Sequence, residues 1–139
     1  MNAIQNPDDS AEPSEELNAL AGRVIGAAIE VHSVLGPGYQ EAIYEEALAI
    51  ELGQHDIPFE RQKDFAVPYK RHSVGEGRID FLIEGVLVVE IKAVERLLPV
   101  HKAQVISYLK ATGSQLGLLI NFNENLLKNG IQRIVYSRS

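Results

Sequence analysis

No cysteine occurs anywhere in the chain, which removes a disulfide framework, a thiolate zinc site and a cysteine nucleophile together. Long apolar runs are missing as well, so no stretch suits a bilayer span. The opening MNAIQNPDDSAEPSEE has neither a basic n-region nor an apolar core, and a cytoplasmic, membrane-free location is the expectation. A basic surplus is lacking: the formal charge is −6 at pH 7, where phosphate-binding proteins usually show the opposite sign. Zinc-ligand spacing, a phosphate-cradling glycine loop, a serine-nucleophile motif and internal repeats are absent too.

What is there suits one ordinary domain. A chain of 139 residues, 45% apolar and 23% charged, is long enough to bury a core without staples. Its charge is uneven. Residues 1–16 hold Asp8, Asp9, Glu12, Glu15 and Glu16 and no base, which predicts a disordered acidic tail over 1–16 and a folded domain over 17–139. The remainder is close to neutral, compatible with a metal-mediated contact to phosphate but not with a strong non-specific grip on long duplexes.

Leu17, Leu20, Ala21, Val24, Ile25, Ala28, Ile29, His32 and Leu35 recur at helical spacing, predicting a long helix stopped by Gly36-Pro37. A second helix is expected from Gly38 to about Leu52, with Ile43, Tyr44, Ala47 and Leu48 facing inward and Gly53 as its break. Ile57 to Tyr69, broken by Pro58 and Pro68, reads as an edge or irregular strand. Arg78 to Ile83 and Val86 to Ala93 read as paired strands joined at Glu84-Gly85. Pro99 to Thr112 is a helix opened by proline and closed by Gly113. Leu116 to Asn121 and Ile131 to Tyr136 read as buried strands.

Strand periodicity puts Val86, Val88, Glu90 and Lys92 on one face. Asp80 lies with Leu82, opposite Ile79, Phe81 and Ile83. Asp80 then meets Glu90 only if the connection has odd length or a bulge, because a one-residue slip sends Glu90 to the other face. Charges embedded in the apolar run Val86 to Val94 must be paired or bound to a metal. A structural salt bridge from Lys92 to a carboxylate is the plainer alternative.

The order of elements around Asp80 and Glu90-x-Lys92 resembles the PD-(D/E)XK, or restriction-endonuclease-like, nuclease superfamily. More narrowly, Gly38-Tyr39-Gln40-Glu41-Ala42-Ile43-Tyr44 fits the pattern naming its prokaryotic GxxExxY branch, and VVEIKAVERLLPVHKAQVISYLKATG and LGLLINF are similar to that branch at the corresponding places. Ile79, not proline, precedes Asp80, a departure that leaves the acids intact. The resemblance implies an α/β fold with a restriction-endonuclease-like core: a mixed central β-sheet flanked by helices, preceded by a helical hairpin. It implies a site of Asp80, Glu90, Lys92, Glu41 and Gln104, with Mg²⁺ or Mn²⁺ held by Asp80, Glu90 and Glu41. DNA or RNA is the implied substrate and partner, and a homo-oligomer is left open. The alternative is a catalytically inactive nucleic-acid- or protein-binding module of the same fold.

On the residues themselves, Glu41 has a second role open to it, as a capping-box acid at the third helical position after a Gly38 N-cap. Tyr44 reads as a packing residue with a bonded hydroxyl, His32 as a satisfied core histidine, and His55 and His72 as loop residues. His101, Gln104 and Tyr108 form a helical stripe able to line a cleft, although Tyr108 reads better as core. Arg61, Lys63, Lys70, Arg71 and Arg78 make a modest basic cluster, suited to a nucleic-acid backbone or to a charged strand edge.

Overall fold

The structure, a computed structural model, describes residues 12–137; the expected acidic tail lies outside them over residues 1–11. Ser14 opens the first helix, α1 (Glu15–Leu35), its hydroxyl oxygen accepting from the Leu17 amide at 3.1 Å, a standard N-cap. Glu15 and Glu16 sit in the first turn, where the helix dipole favours them. At the other end Gly36 adopts φ 69 and returns its amide to His32. The apolar stripe Leu20, Ala21, Val24, Ala27, Ala28 and Val31 is buried.

Helix α2 (Glu41–Gln54) starts later than the sequence suggests, with Gln40 as N-cap and no side-chain capping bond. Gly38 instead takes φ 111 in the connecting loop, so Glu41 is the first helical residue and the capping-box role does not apply. Gly53 lies inside the last turn and His55 caps the helix, with its ring on Glu51 at 2.8 Å. The inward face is Tyr44, Leu48 and Leu52; Ile43 is exposed and Ala47 only half-buried. Tyr44 behaves as expected: fully buried, it donates to the Gly36 carbonyl, accepts from the Tyr39 amide and stacks on Phe122 with centroids 4.8 Å apart.

Five strands follow, β1 (Phe59–Tyr69), β2 (His72–Ile83), β3 (Leu87–Lys92), β4 (Leu116–Asn121) and β5 (Ile131–Val135), with α3 (Pro99–Thr112) between β3 and β4. They form one sheet in chain order, antiparallel except for the β3–β4 pair. The parallel pair needs a crossover, and α3 supplies it. Pro99 and Gly113 (φ 79) bound α3 as expected. β2 begins six residues before the predicted Arg78, so His72, expected in a loop, is its first residue; that half is polar, carries Gly75 and Gly77, and shows no apolar alternation to read. β5 is an edge strand with only Ile134 buried, so its exposure contradicts the buried reading.

Period-two alternation gives the sheet two apolar faces. One packs Phe81, Ile83, Leu87, Val89, Ile91, Leu118 and Ile120 against α1 and α2. The other packs Val88 and Leu119 against Val105 and Leu109 of α3. Ile79 joins this second cluster and not Phe81 and Ile83, against the alternation expected for an unbroken strand. The interruption is visible: Gln62 in β1, flanked by the pairs Arg61↔Phe81 and Lys63↔Ile79, is a non-glycine residue at φ 51. The hairpin changes face there, beside Asp80. Among the described residues no helix is long and apolar enough to cross a membrane.

Candidate active site

The β2–β3 connection consists of Glu84, Gly85 and Val86, since Ile83 pairs with Leu87. Glu84 and Gly85 both take positive φ, 51 and 72, and the Val86 amide closes the turn on Ile83 at 3.0 Å. The odd length keeps alternation in step, so the extended register sets Asp80 against Glu90. Backbone pairing itself stops at Phe81↔Val89. Beyond it the acids take over: the Asp80 amide donates to Glu90 Oε2 and the Ile91 amide donates to Asp80 Oδ2, each at 2.8 Å. Two side-chain carboxylates thus occupy places where ladder carbonyls would sit.

These bonds leave one oxygen on each acid. Asp80 Oδ1 receives a long bond from Gln62 Nε2 at 3.4 Å, while Glu90, 3% exposed, keeps Oε1 without a hydrogen bond among the described residues. Burial, reinforced by the Asp80 charge, pushes the Glu90 carboxyl up to about 8, against the opposing pull of the Asp80 amide and Lys92. Burial raises Asp80 too, opposed by the Ile91 amide. Neighbouring buried acids cannot both ionise cheaply, so the two titrate as a pair.

Lys92 follows on the same face as Glu90, half-buried, its charge felt by Asp80, Glu90 and Glu41. Asn121 fixes the chain just past it. This buried amide accepts from the Val94 N–H at 3.0 Å and donates to the Val94 carbonyl at 2.9 Å, while the Phe122 amide bonds the Lys92 carbonyl. Glu41, at the start of α2, has its carboxyl raised by burial and by Asp80. Glu45, one turn on, is held by Gln62 and Arg61 at 2.8 and 3.0 Å. Sequence reasoning missed Gln62, Glu45 and Asn121. The carboxamides gave no signal, and only the i, i+4 spacing of Glu41 and Glu45 hinted at a shared face.

From α3, Gln104 lines a hollow of about 540 Å³ together with Lys92, His101 and Ser107. Burial, then the charges of Glu90 and Asp80, push the Tyr108 phenol above its ordinary range, and the neighbouring Gln104 side chain opposes them. Tyr108 is therefore core on one side, edge-on to Phe65 at 5.0 Å, and part of the acid site on the other. His101 has local work: its Nδ1 accepts from the Leu98 amide at 2.9 Å and caps α3. His32 is the satisfied core residue expected, on the Glu124 carbonyl at 2.7 Å. A larger cavity, about 790 Å³, lies at the other end of the sheet between the start of α1 and the Glu84-Gly85 turn, and none of these acids lines it.

Among the described residues no three His, Asp or Glu side chains form a ready cage for a metal ion. Asp80 and Glu90 nevertheless suit a hard cation: Mg²⁺ typically takes one or two carboxylates and fills its other positions with water and phosphate oxygens. The unbonded, buried Oε1 of Glu90 is the atom such an ion would satisfy. A family model described as the PD-(D/E)XK nuclease superfamily matches residues 18–134, from the first turn of α1 into β5. No curated protein matches the chain.

Proposed function

Because the chain belongs to the PD-(D/E)XK nuclease superfamily, we propose that residues 17–139 form a metal-dependent nuclease domain of the prokaryotic GxxExxY kind, hydrolysing phosphodiester bonds of DNA or RNA in the cytoplasm. The observation that carries this reading is the pair of mutually braced acids, Asp80 and Glu90, from adjacent strands, with Lys92 on the same face. A bound Mg²⁺ or Mn²⁺ would neutralise phosphate charge and lower the pKa of a water molecule.

The chain's own residues do the rest. Asp80 and Glu90 would hold the ion, with Glu41 completing the set directly or through a water. The Lys92 ammonium orients the attacking water or steadies charge developing on the phosphate. Gln104 presents its amide to the hollow beside Lys92, where a non-bridging oxygen or the leaving group can be held, and the Tyr108 phenol one turn further along α3 feels the charge of both acids.

Labelled DNA and RNA incubated with Mn²⁺ or Mg²⁺ test the proposal. Wild type should cleave at least one polymer, while Asp80→Asn and Lys92→Ala should each lose about 100-fold or more in rate with an unchanged melting profile. Equal activity in all three proteins would place the cleavage elsewhere and remove the assignment.

A further inference from the structure

The β1–β2 hairpin is far longer than the sheet it belongs to. Its strands span eleven and twelve residues, yet β3 pairs with β2 only from Phe81 to Ile83. Everything from the Gln62/Asp80 crossover to the Tyr69↔His72 end pair is an overhanging arm rooted at the acid site. The root is fixed: Phe65 lies across from Gly77, so close that a Cβ there would fall 2.3 Å from its ring, and packs edge-on against Tyr108. Beyond Phe65 the arm is solvent-exposed on both strands up to Glu76.

The arm's charge is as distinctive as its length. Phe65 to Gly75 contains no acid in a chain of net charge −6. The five bases flagged in the sequence divide once their partners are known. Arg61 is paired with Glu45 and Glu46, Lys63 with Glu60, and Arg78 with Asp64. Lys70 and Arg71, which form the two-residue tip between Tyr69 and His72, have no acid partner among the described residues. Lys70 instead lies over the Tyr69 ring at 5.4 Å. Exposed Val74 and Tyr69 flank the cations, 61% and 59% accessible.

We propose that this arm is a backbone clamp for the substrate's flank, with Lys70 and Arg71 gripping phosphates and Tyr69 lying against sugar or base. The inference rests on the nuclease reading and adds reach to it. Strand rise over the roughly nine residues from Asp80 to Arg71 gives about 30 Å. At 3.4 Å per nucleotide along a duplex strand, the grip falls roughly nine nucleotides from the scissile bond. A two-stranded ribbon also has the width a major groove admits. A nucleic-acid backbone is favoured over a protein partner because the tip's charge is uncompensated and of one sign.

The test measures binding by fluorescence anisotropy in Ca²⁺, using duplexes and single strands of about 8 and about 30 nucleotides, for wild type and Lys70→Ala/Arg71→Ala. On the long substrate the double variant should bind about 10-fold more weakly and lose roughly two from the log–log salt slope. On the short one, which the tip does not reach, the two proteins should match. Whichever long polymer shows the difference identifies the strandedness of the flank. Equal affinities and slopes on long substrates, with wild-type cleavage intact, overturn the clamp and leave the nuclease reading standing. No binding by wild type to any polymer overturns both. A wild-type dimer in sedimentation that the double variant or Val74→Ser dissociates would give the arm to a second copy and also overturn the clamp.

Discussion

Buried to 3% exposure, with its carboxyl pushed up to about 8, Glu90 keeps its proton in the folded chain at neutral pH, whereas in the unfolded chain it ionises near 4.5. Between those values the folded state binds more protons, so this contribution to stability is complete below pH 4.5 and is lost as pH rises through about 8. Glu90→Gln keeps an acceptor for the Asp80 amide and removes the titration. Urea midpoints at pH 5, 7 and 9 should therefore fall less steeply in the variant, and identical slopes would assign the effect to other groups. Asn121→Ala should cost about 2 kcal/mol, because it strands both polar groups of half-buried Val94 and leaves a hole where the buried amide was; urea unfolding reads this directly. Asp80, Glu90 and Lys92 were legible as residues because alternation alone selects a strand face. Gln62 and Asn121 were not, since their partners lie 18 and 27 positions away and a carboxamide carries no sign of what it will meet.

At the scale of elements, the three-residue turn after Ile83 sets the register. Deleting Val88 from within β3 would move Glu90 into the place of Val89 and swing it towards α1 and α2. That variant should lose Mn²⁺ binding in isothermal titration even if it stays folded by circular dichroism; retained binding would show the acids to be independent of register. The helices α1 and α3 were legible to within a residue or two, because caps, proline and glycine mark their ends. The start of α2 was misread because Gly38 looks like a cap but takes a loop conformation, φ 111. The early half of β2 escaped notice for a different reason. It buries almost nothing, and strand periodicity is a signal of burial. The displacement of Ile79 to the α3 side followed from strain at Gln62, and a glutamine does not advertise a positive φ.

For the whole molecule, the mixed sheet with helices on both faces was legible from the order and type of its segments. Which cations stay unpaired was not, because pairing depends on the hairpin's register against α2. Metal loading should act globally. Ligation requires ionised carboxylates, so at pH 7 each Mn²⁺ bound should expel up to about one proton. The apparent binding enthalpy would then differ between two buffers of unlike ionisation enthalpy, and coincident enthalpies would contradict a protonated Glu90. Saturation at about 100 Kd adds roughly 2.7 kcal/mol of stability, visible as a raised melting temperature that EDTA reverses.

The gap between β2 and β3 that Asp80 and Glu90 close has an evolutionary corollary. A descendant that abandoned hydrolysis would still be under pressure to keep both acids, or amides in their stead, to stop two strands from parting. Lys92 spans no such gap and is released from selection the moment turnover ceases, so decay of function in this lineage would be written first at the lysine.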